Sequence, residues 1–124
     1  MATMTTPPPT TATRRAGLQL AAEWLNSTVV RISASGDIDA SNTAELLDYV
    51  LRRGANCRSL ILDLSDVTFF ATAGFSALGT LDVRCSRASV SWMLVDGPAV
   101  SRVLSICDPE RTLPRGIEEL TESP

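Results

Sequence analysis

The sequence predicts an α/β fold: one domain whose mixed, mostly parallel sheet of four to five strands begins with an antiparallel hairpin and carries three to four helices. Three observations predict it. Runs of β-branched and aliphatic residues alternate with segments whose apolar residues recur at steps of three and four. One run, Leu60, Ile61, Leu62 and Leu64, is nearly unbroken, as in a strand covered on both faces. The chain has 124 residues, 44% of them hydrophobic, which suits a single domain with a real core.

Residues 1–15, MATMTTPPPTTATRR, lack periodicity and contain three consecutive prolines, so they read as a disordered tail before a domain at 16–116. Residues 18–25 read as an edge strand. Residues 27–36 form a stronger one, with Val29, Val30 and Ile32, and Asn26-Ser27 makes the hairpin turn between them. A helix then starts at Asn42, three residues before Glu45 as in a capping box, and buries Leu46, Leu47, Val50 and Leu51. Gly54 is expected to stop it in a left-handed conformation.

After the apolar strand at 57–65, residues 72–87 read as a second helix with Phe75, Leu78, Leu81 and Cys85 on one buried stripe. Residues 89–96 are the next strand. Pro98 suits the first position of a third helix that buries Val100, Val103, Leu104 and Cys107 and ends at Asp108-Pro109. A short edge strand is expected near Leu113, and 117–124 form an acidic tail. Strand–helix–strand units imply right-handed parallel crossovers, and sites in such sheets gather at the carboxyl ends of the strands.

Composition removes most function classes. Eleven basic residues, all arginine, against 14 acidic ones give a net charge of −3, the wrong sign for a nucleic-acid surface. There is no histidine, and hence no Ser-His or Cys-His pair and no imidazole metal ligand. Neither GxxxxGK[ST] nor GxGxxG occurs, and a phosphoaspartate receiver would need a lysine, which the chain lacks. Cys57, Cys85 and Cys107 are odd in number and form no CxxC, so they read as buried thiols in a reducing compartment, with Cys85–Cys107 as a candidate redox pair. No apolar run reaches the ~18 residues of a membrane span, and no secretory signal is evident, which points to the cytoplasm. No catalytic residue, cofactor or metal ligand is expected.

Two motifs carry a resemblance. LILDLSDVTFFATAGFSAL (60–78) resembles the signature of STAS domains (sulfate transporter and anti-sigma factor antagonist), in which a strand ending Asp-Leu-Ser leads through a small-residue loop into Gly-x-x-x-Leu. VVRISASGDIDASNTAEL (29–46) is similar to that family's Gly-Glu-Leu-Asp stretch. The resemblance covers roughly residues 18–115 and implies a free-standing bacterial anti-sigma factor antagonist, a monomer or weak dimer. Such a protein binds an anti-sigma factor, usually one with a GHKL-type serine kinase domain, and frees a sigma factor by partner switching. The kinase phosphorylates a hydroxyl in the loop before the second helix.

Aligned on Gly74, the family's acceptor falls on Thr72, while its Asp and second hydroxyl are replaced by Ala71 and Ala73. The implied partner surface is Asp37, Asp39, Phe70, Ala71, Thr72, Ala73 and Gly74. Thr72 is expected to cap the helix. Strict alternation forbids burying both Phe69 and Phe70, so one of the two serves as an anchor, while Asp63 and Ser65 hold the strand–loop turn and Phe75 is core. The competing reading is a STAS scaffold set by the Cys85–Cys107 pair or by a ligand in a nucleotide-sized groove.

Overall fold

A computed structural model describes residues 12–15 and 17–115. The chain order is β1 (Ala12–Arg15), β2 (Leu18–Trp24), β3 (Val29–Ile38), α1 (Thr43–Arg53), β4 (Ser59–Phe70), α2 (Thr72–Arg87), β5 (Ser91–Asp96) and α3 (Pro98–Cys107). The five strands lie side by side in sequence order. β1 and β2 pair antiparallel, as do β2 and β3, whereas β3–β4 and β4–β5 are parallel. The predicted class, a mixed sheet with an antiparallel start and three helices, is the one observed. The first strand is a departure: Ala12–Arg15 pairs with β2, inside the stretch read as tail. Main-chain hydrogen bonds to β2 hold those four residues, and pairing of that kind leaves no trace in side-chain periodicity. Residues 1–11 and the acidic tail at 117–124 lie outside the described residues.

The β2–β3 hairpin closes on Asn26, whose Oδ1 accepts from the Thr28 and Val29 amides at 2.9 and 3.0 Å. Along β2–β4, alternate residues such as Leu18, Leu20, Val30, Ile32, Leu60, Leu62 and Leu64 point into one core. The helices cover that face with Leu46, Tyr49 and Val50 from α1, Leu78 and Leu81 from α2, and Val100 and Leu104 from α3. α2 touches both α1 and α3 and so lies between them. Asp108 then turns the chain: its carboxylate accepts from the Thr112 amide at 2.9 Å and the Leu113 amide at 3.2 Å. The turned segment delivers Pro114, whose carbonyl accepts the Leu94 amide at 2.7 Å, and Arg115 forms a parallel bridge to Leu94. The expected edge segment near Leu113 is therefore present as this short pairing.

Two helix-end expectations are corrected. Asn42 precedes α1 but its side chain makes no capping bond, because it is spent on the preceding turn. Gly54 has φ −90°, and the left-handed residue is Asn56 at φ 73°. α1 still ends at Arg53 with Gly54 as its C-cap, and the left-handed turn follows two residues later, at a residue type that tolerates this region.

One glycine is indispensable to the sheet. Gly36 has φ 95° where the β3–β4 register shifts, and the Gly17 carbonyl oxygen, which accepts the Asp37 amide, occupies the space a Cβ would need. Gly36→Ala is therefore expected to cost about 3 kcal/mol, from positive-φ strain plus overlap with backbone that cannot swing aside. Urea titration should show the transition at markedly lower denaturant, and an unmoved midpoint would refute the close approach.

Candidate functional site at the carboxyl end of the sheet

The ends of β3 and β4 build the site. The two strands run parallel and finish together, with Asp37 opposite Phe69 and Ile38 opposite Phe70. Alternation sends the adjacent phenylalanines in opposite directions. Phe70 is only 4% exposed and belongs to the core, whereas Phe69 is 53% exposed. Phe70 therefore does not present its ring at the surface, and of the paired phenylalanines Phe69 is the exposed one. The strand pattern alone left the choice open, because it depends on the register shifts between Ser33 and Ser35 and between Gly36 and Asp37.

The loop between β4 and α2 is a single residue, Ala71, with extended backbone (φ −87°, ψ 167°). Its amide donates to the Ile38 carbonyl at 2.9 Å, and the Gly74 amide donates to the Ala71 carbonyl at 2.8 Å. Ala71, not Thr72, is the N-cap; Thr72 is the first helical residue, and its side chain makes no capping bond. Thr72 is exposed, and its hydroxyl has no hydrogen-bond partner among the described residues. Ala73 is half-buried, and Gly74 is buried because the first turn of α2 lies directly on the Phe70 ring, where a Cβ would overlap the ring carbons. The small residues of this stretch have a packing cause: they let a helix start flush against an aromatic side chain.

Two carboxylates flank this start in different states. Asp37 is exposed, and Thr68 Oγ1 donates to its Oδ1 at 3.3 Å and to the Gly36 carbonyl at 3.2 Å. Asp39 is committed to a local turn. Its Oδ1 accepts from Ser41 Oγ at 2.6 Å and from the Ser41 amide at 2.9 Å, and these bonds hold its carboxyl below the ordinary value. Asn42, buried, fastens the same turn: Oδ1 accepts the Asp39 amide and Nδ2 donates to the Asp37 carbonyl, both at 3.0 Å. Sequence reasoning took Asn42 for a helix cap and so missed this clamp. Its signal is an Asn three residues after an Asp in a turn, a spacing shared with capping boxes.

Farther down β4, Asp63 gathers its neighbours. Its Oδ1 accepts from Ser65 Oγ at 2.6 Å and the Ser65 amide at 2.9 Å, while Oδ2 pairs with Arg31 across the parallel ladder. Burial alone would raise this carboxyl; the bonds from Ser65 and Arg31 outweigh it and hold the group below the ordinary value. The strand–loop turn expected at Asp63 and Ser65 is not there: β4 continues to Phe70, and their bonds lie at the first register shift within the strand.

The thiols sit at the opposite end of the sheet. Cys57, Cys85 and Cys107 are all free. Cys85 lines a cavity of about 140 Å³ together with Cys57; Cys107 does not line it. The buried stripe of α2 turns Cys85 toward α1, whereas α3, which ends in Cys107, lies on the other flank of α2. Cys57 and Cys85, and not the candidate pair Cys85–Cys107, are thus the two thiols that line this space. That space is also smaller than the ~300–1,000 Å³ of a typical ligand pocket, so it does not provide a nucleotide-sized groove. No helix among the described residues is long and apolar enough to cross a membrane.

The STAS domain family model matches residues 24–115. The chain belongs to the STAS domain family. A relative, Osmosensory protein A of Mycobacterium tuberculosis, is 36% identical over 97 residues, covering 78% of this STAS domain protein and 61% of that protein's length. Two solved structures share the fold. An anti-sigma factor antagonist from Mycobacterium paratuberculosis superposes with a TM-score of 0.72 at 22% identity, covering 86% of this chain and 92% of that one. The anti-sigma factor antagonist SpoIIAA in its unphosphorylated form gives 0.61 at 14% identity, covering 82% and 91%.

Asp63 makes the stability of this STAS domain depend on pH. Its folded-state pKa is depressed, so the stability it contributes is present above the ordinary carboxylate value near 4 and is lost as pH falls through the lower folded value. Asp63→Asn should cost about 1–3 kcal/mol at neutral pH, since it weakens charge-assisted bonds at a buried acceptor. Chemical denaturation at neutral pH and at about pH 3 should show the gap to wild type narrowing in acid. A gap of constant size would show that the charge of Asp63 contributes nothing.

Proposed function

We propose that this STAS domain is an anti-sigma factor antagonist: it catalyses nothing itself, docks on an anti-sigma factor through the carboxyl end of β3–β4 and the first turn of α2, and so releases a sigma factor. In this reading the partner is an anti-sigma factor with a GHKL-type serine kinase domain. Thr72 is the residue that kinase phosphorylates to end the complex. The observation that carries the proposal is the exposed, unbonded Thr72 hydroxyl at the first position of α2, on the same end of the sheet as exposed Phe69. Two proteins of the same fold, both anti-sigma factor antagonists, support it.

The physics of the site suits a switch read by the partner. Phosphorylation adds about −1.5 to −2 charges. The first turn of α2 contains no acidic side chain, and the amides of a helix start favour an anion, so the fold tolerates the phosphate. A partner packed on the site has no such tolerance, since an interface of ~800 Å² per side excludes the water that a phosphate needs. Phe69 supplies the apolar anchor, and exposed Asp37 lies opposite it in the strand register as a polar rim contact. The surface is thus Asp37, Phe69, Ala71, Thr72 and Ala73, with Asp39, Phe70 and Gly74 shaping it from beneath or beside. The protein acts in this way as a cytoplasmic monomer or weak dimer.

The test is reconstitution with candidate anti-sigma kinases. Wild type should bind in ADP and incorporate one phosphate in ATP, whereas Thr72→Ala should bind and take up none. Thr72→Glu should weaken the complex by about tenfold or more, and Phe69→Ala by about 30-fold, as an interface hot spot does, with thermal stability nearly unchanged in both. Calorimetry in which both substituted proteins bind as tightly as wild type would sink the proposal. Binding that changes only on addition of dithiothreitol would transfer the switch to the thiols.

A further inference from the structure

We propose that the cavity shared by Cys57 and Cys85 is a two-coordinate binding site for a soft monovalent cation, Cu(I) or Ag(I). The cavity lies where the end of α1, the chain after it, the end of α2 and the start of β5 meet. Its walls are aliphatic, with Val50, Leu51, Leu60, Leu81 and Val90, and its only sulfur atoms come from Cys57 and Cys85. Both cysteines are buried and free.

The donor set selects the ion. Sulfur ligands favour soft cations, and the chain has no imidazole to offer. Among the described residues no cluster of three or more His, Cys, Asp or Glu could hold a metal. That excludes zinc, whose structural sites need about four protein ligands, and the hard cations, which need oxygen cages. A d10 monovalent cation is satisfied by two sulfurs in line, with no third donor, and the largely aliphatic wall suits it.

Charge also balances. Two thiols and one cation give a bis-thiolate complex of charge −1 and two released protons, with no change of oxidation state. Arg84 lines the same cavity and supplies the compensating positive charge. Without metal the thiols stay protonated: burial, then Cys57 and Asp82, push Cys85 up to about 11, and burial raises Cys57 as well. The site is therefore inert toward ordinary electrophiles, while a coordinating cation displaces the thiol protons. An entry path exists, because Ala55, Asn56 and Ala88 line the cavity and are themselves exposed.

The experiment is anaerobic titration of the full chain with Cu(I), supplied as its acetonitrile complex against a competing chelator, with intact-mass and proton-release readouts. One Cu(I) should bind per chain with release of two protons, so affinity should rise with pH. Cys57→Ser and Cys85→Ser should each weaken binding by at least about 100-fold, with circular dichroism confirming that they fold. Cys85→Met should retain part of the affinity, since a thioether is still a soft ligand, and Cys107→Ser should change nothing. The proposal is overturned if binding survives both serine substitutions or follows Cys107. A product with a Cys57–Cys85 disulfide and no metal overturns it too. Ag(I) should reproduce the pattern by the same chemistry.

Discussion

The seating of α2 on the Phe70 ring is the constraint from which the rest of the site follows. Phe70 closes β4, and the chain must turn from strand to helix within one residue, Ala71. A helix that starts so abruptly can pack on the ring only if its first turn has no side chain there, and Gly74 meets that demand. The Ala71 amide is tied to the Ile38 carbonyl, so the helix start is registered to β3 as well as to β4. Once Phe70 is pinned inward, alternation forces Phe69 outward, and the helical phase from Gly74 forces Thr72 outward. The exposed pair at the heart of the proposed function is the complement of a buried packing requirement.

The carboxylates around this frame are largely spent on turns. Asp39 is committed to Ser41, Asp63 to Ser65 and Arg31, and Asp108 to Thr112 and Leu113. In each case the carboxylate accepts from the backbone amide and hydroxyl of a residue two to four positions on, in place of a helix cap or a partner contact. An acidic chain with no lysine therefore presents less free negative charge at the site than its composition suggests, and Asp37 is the least committed of these groups. That matters for docking, because a carboxylate already satisfied within the protein loses little when water leaves.

Periodicity made most of the fold legible. The stripe Leu78, Leu81 and Cys85 located α2 to the residue, and the run from Leu60 to Leu64 located β4, because burial leaves its pattern in the sequence. The failures share a different origin: they depend on which backbone group a side chain meets. Asn42 has the sequence of a cap and the geometry of a clamp. Gly54 looked like a left-handed stop, yet the chain turns at Asn56. The partition of Phe69 from Phe70 hangs on the extra residues that β4 carries at its register shifts against β3, and the neighbour of Cys85 depends on which flank of α2 each helix occupies. Local pattern encodes which residues are buried, and it encodes far less well which neighbours they are buried against.

The two ends of α2 consequently carry opposite kinds of chemistry. Thirteen residues separate Thr72 from Cys85, roughly 20 Å of helix. At the first end a hydroxyl is exposed and has no partner among the described residues, so a group attached to it removes no bond that those residues make. At the second end two thiols stand in an aliphatic cavity, where any charge must be compensated on the spot. A modification at Thr72 is therefore felt by whatever docks there, and its energy appears in the complex and not in the folded chain. Occupation of the thiol cavity acts the other way: ligation joins the segment after α1 to the end of α2, so its energy appears as stability of the folded chain. On the two proposals, one helix would separate a signal addressed to a partner from one addressed to the protein itself, with no conformational relay between them.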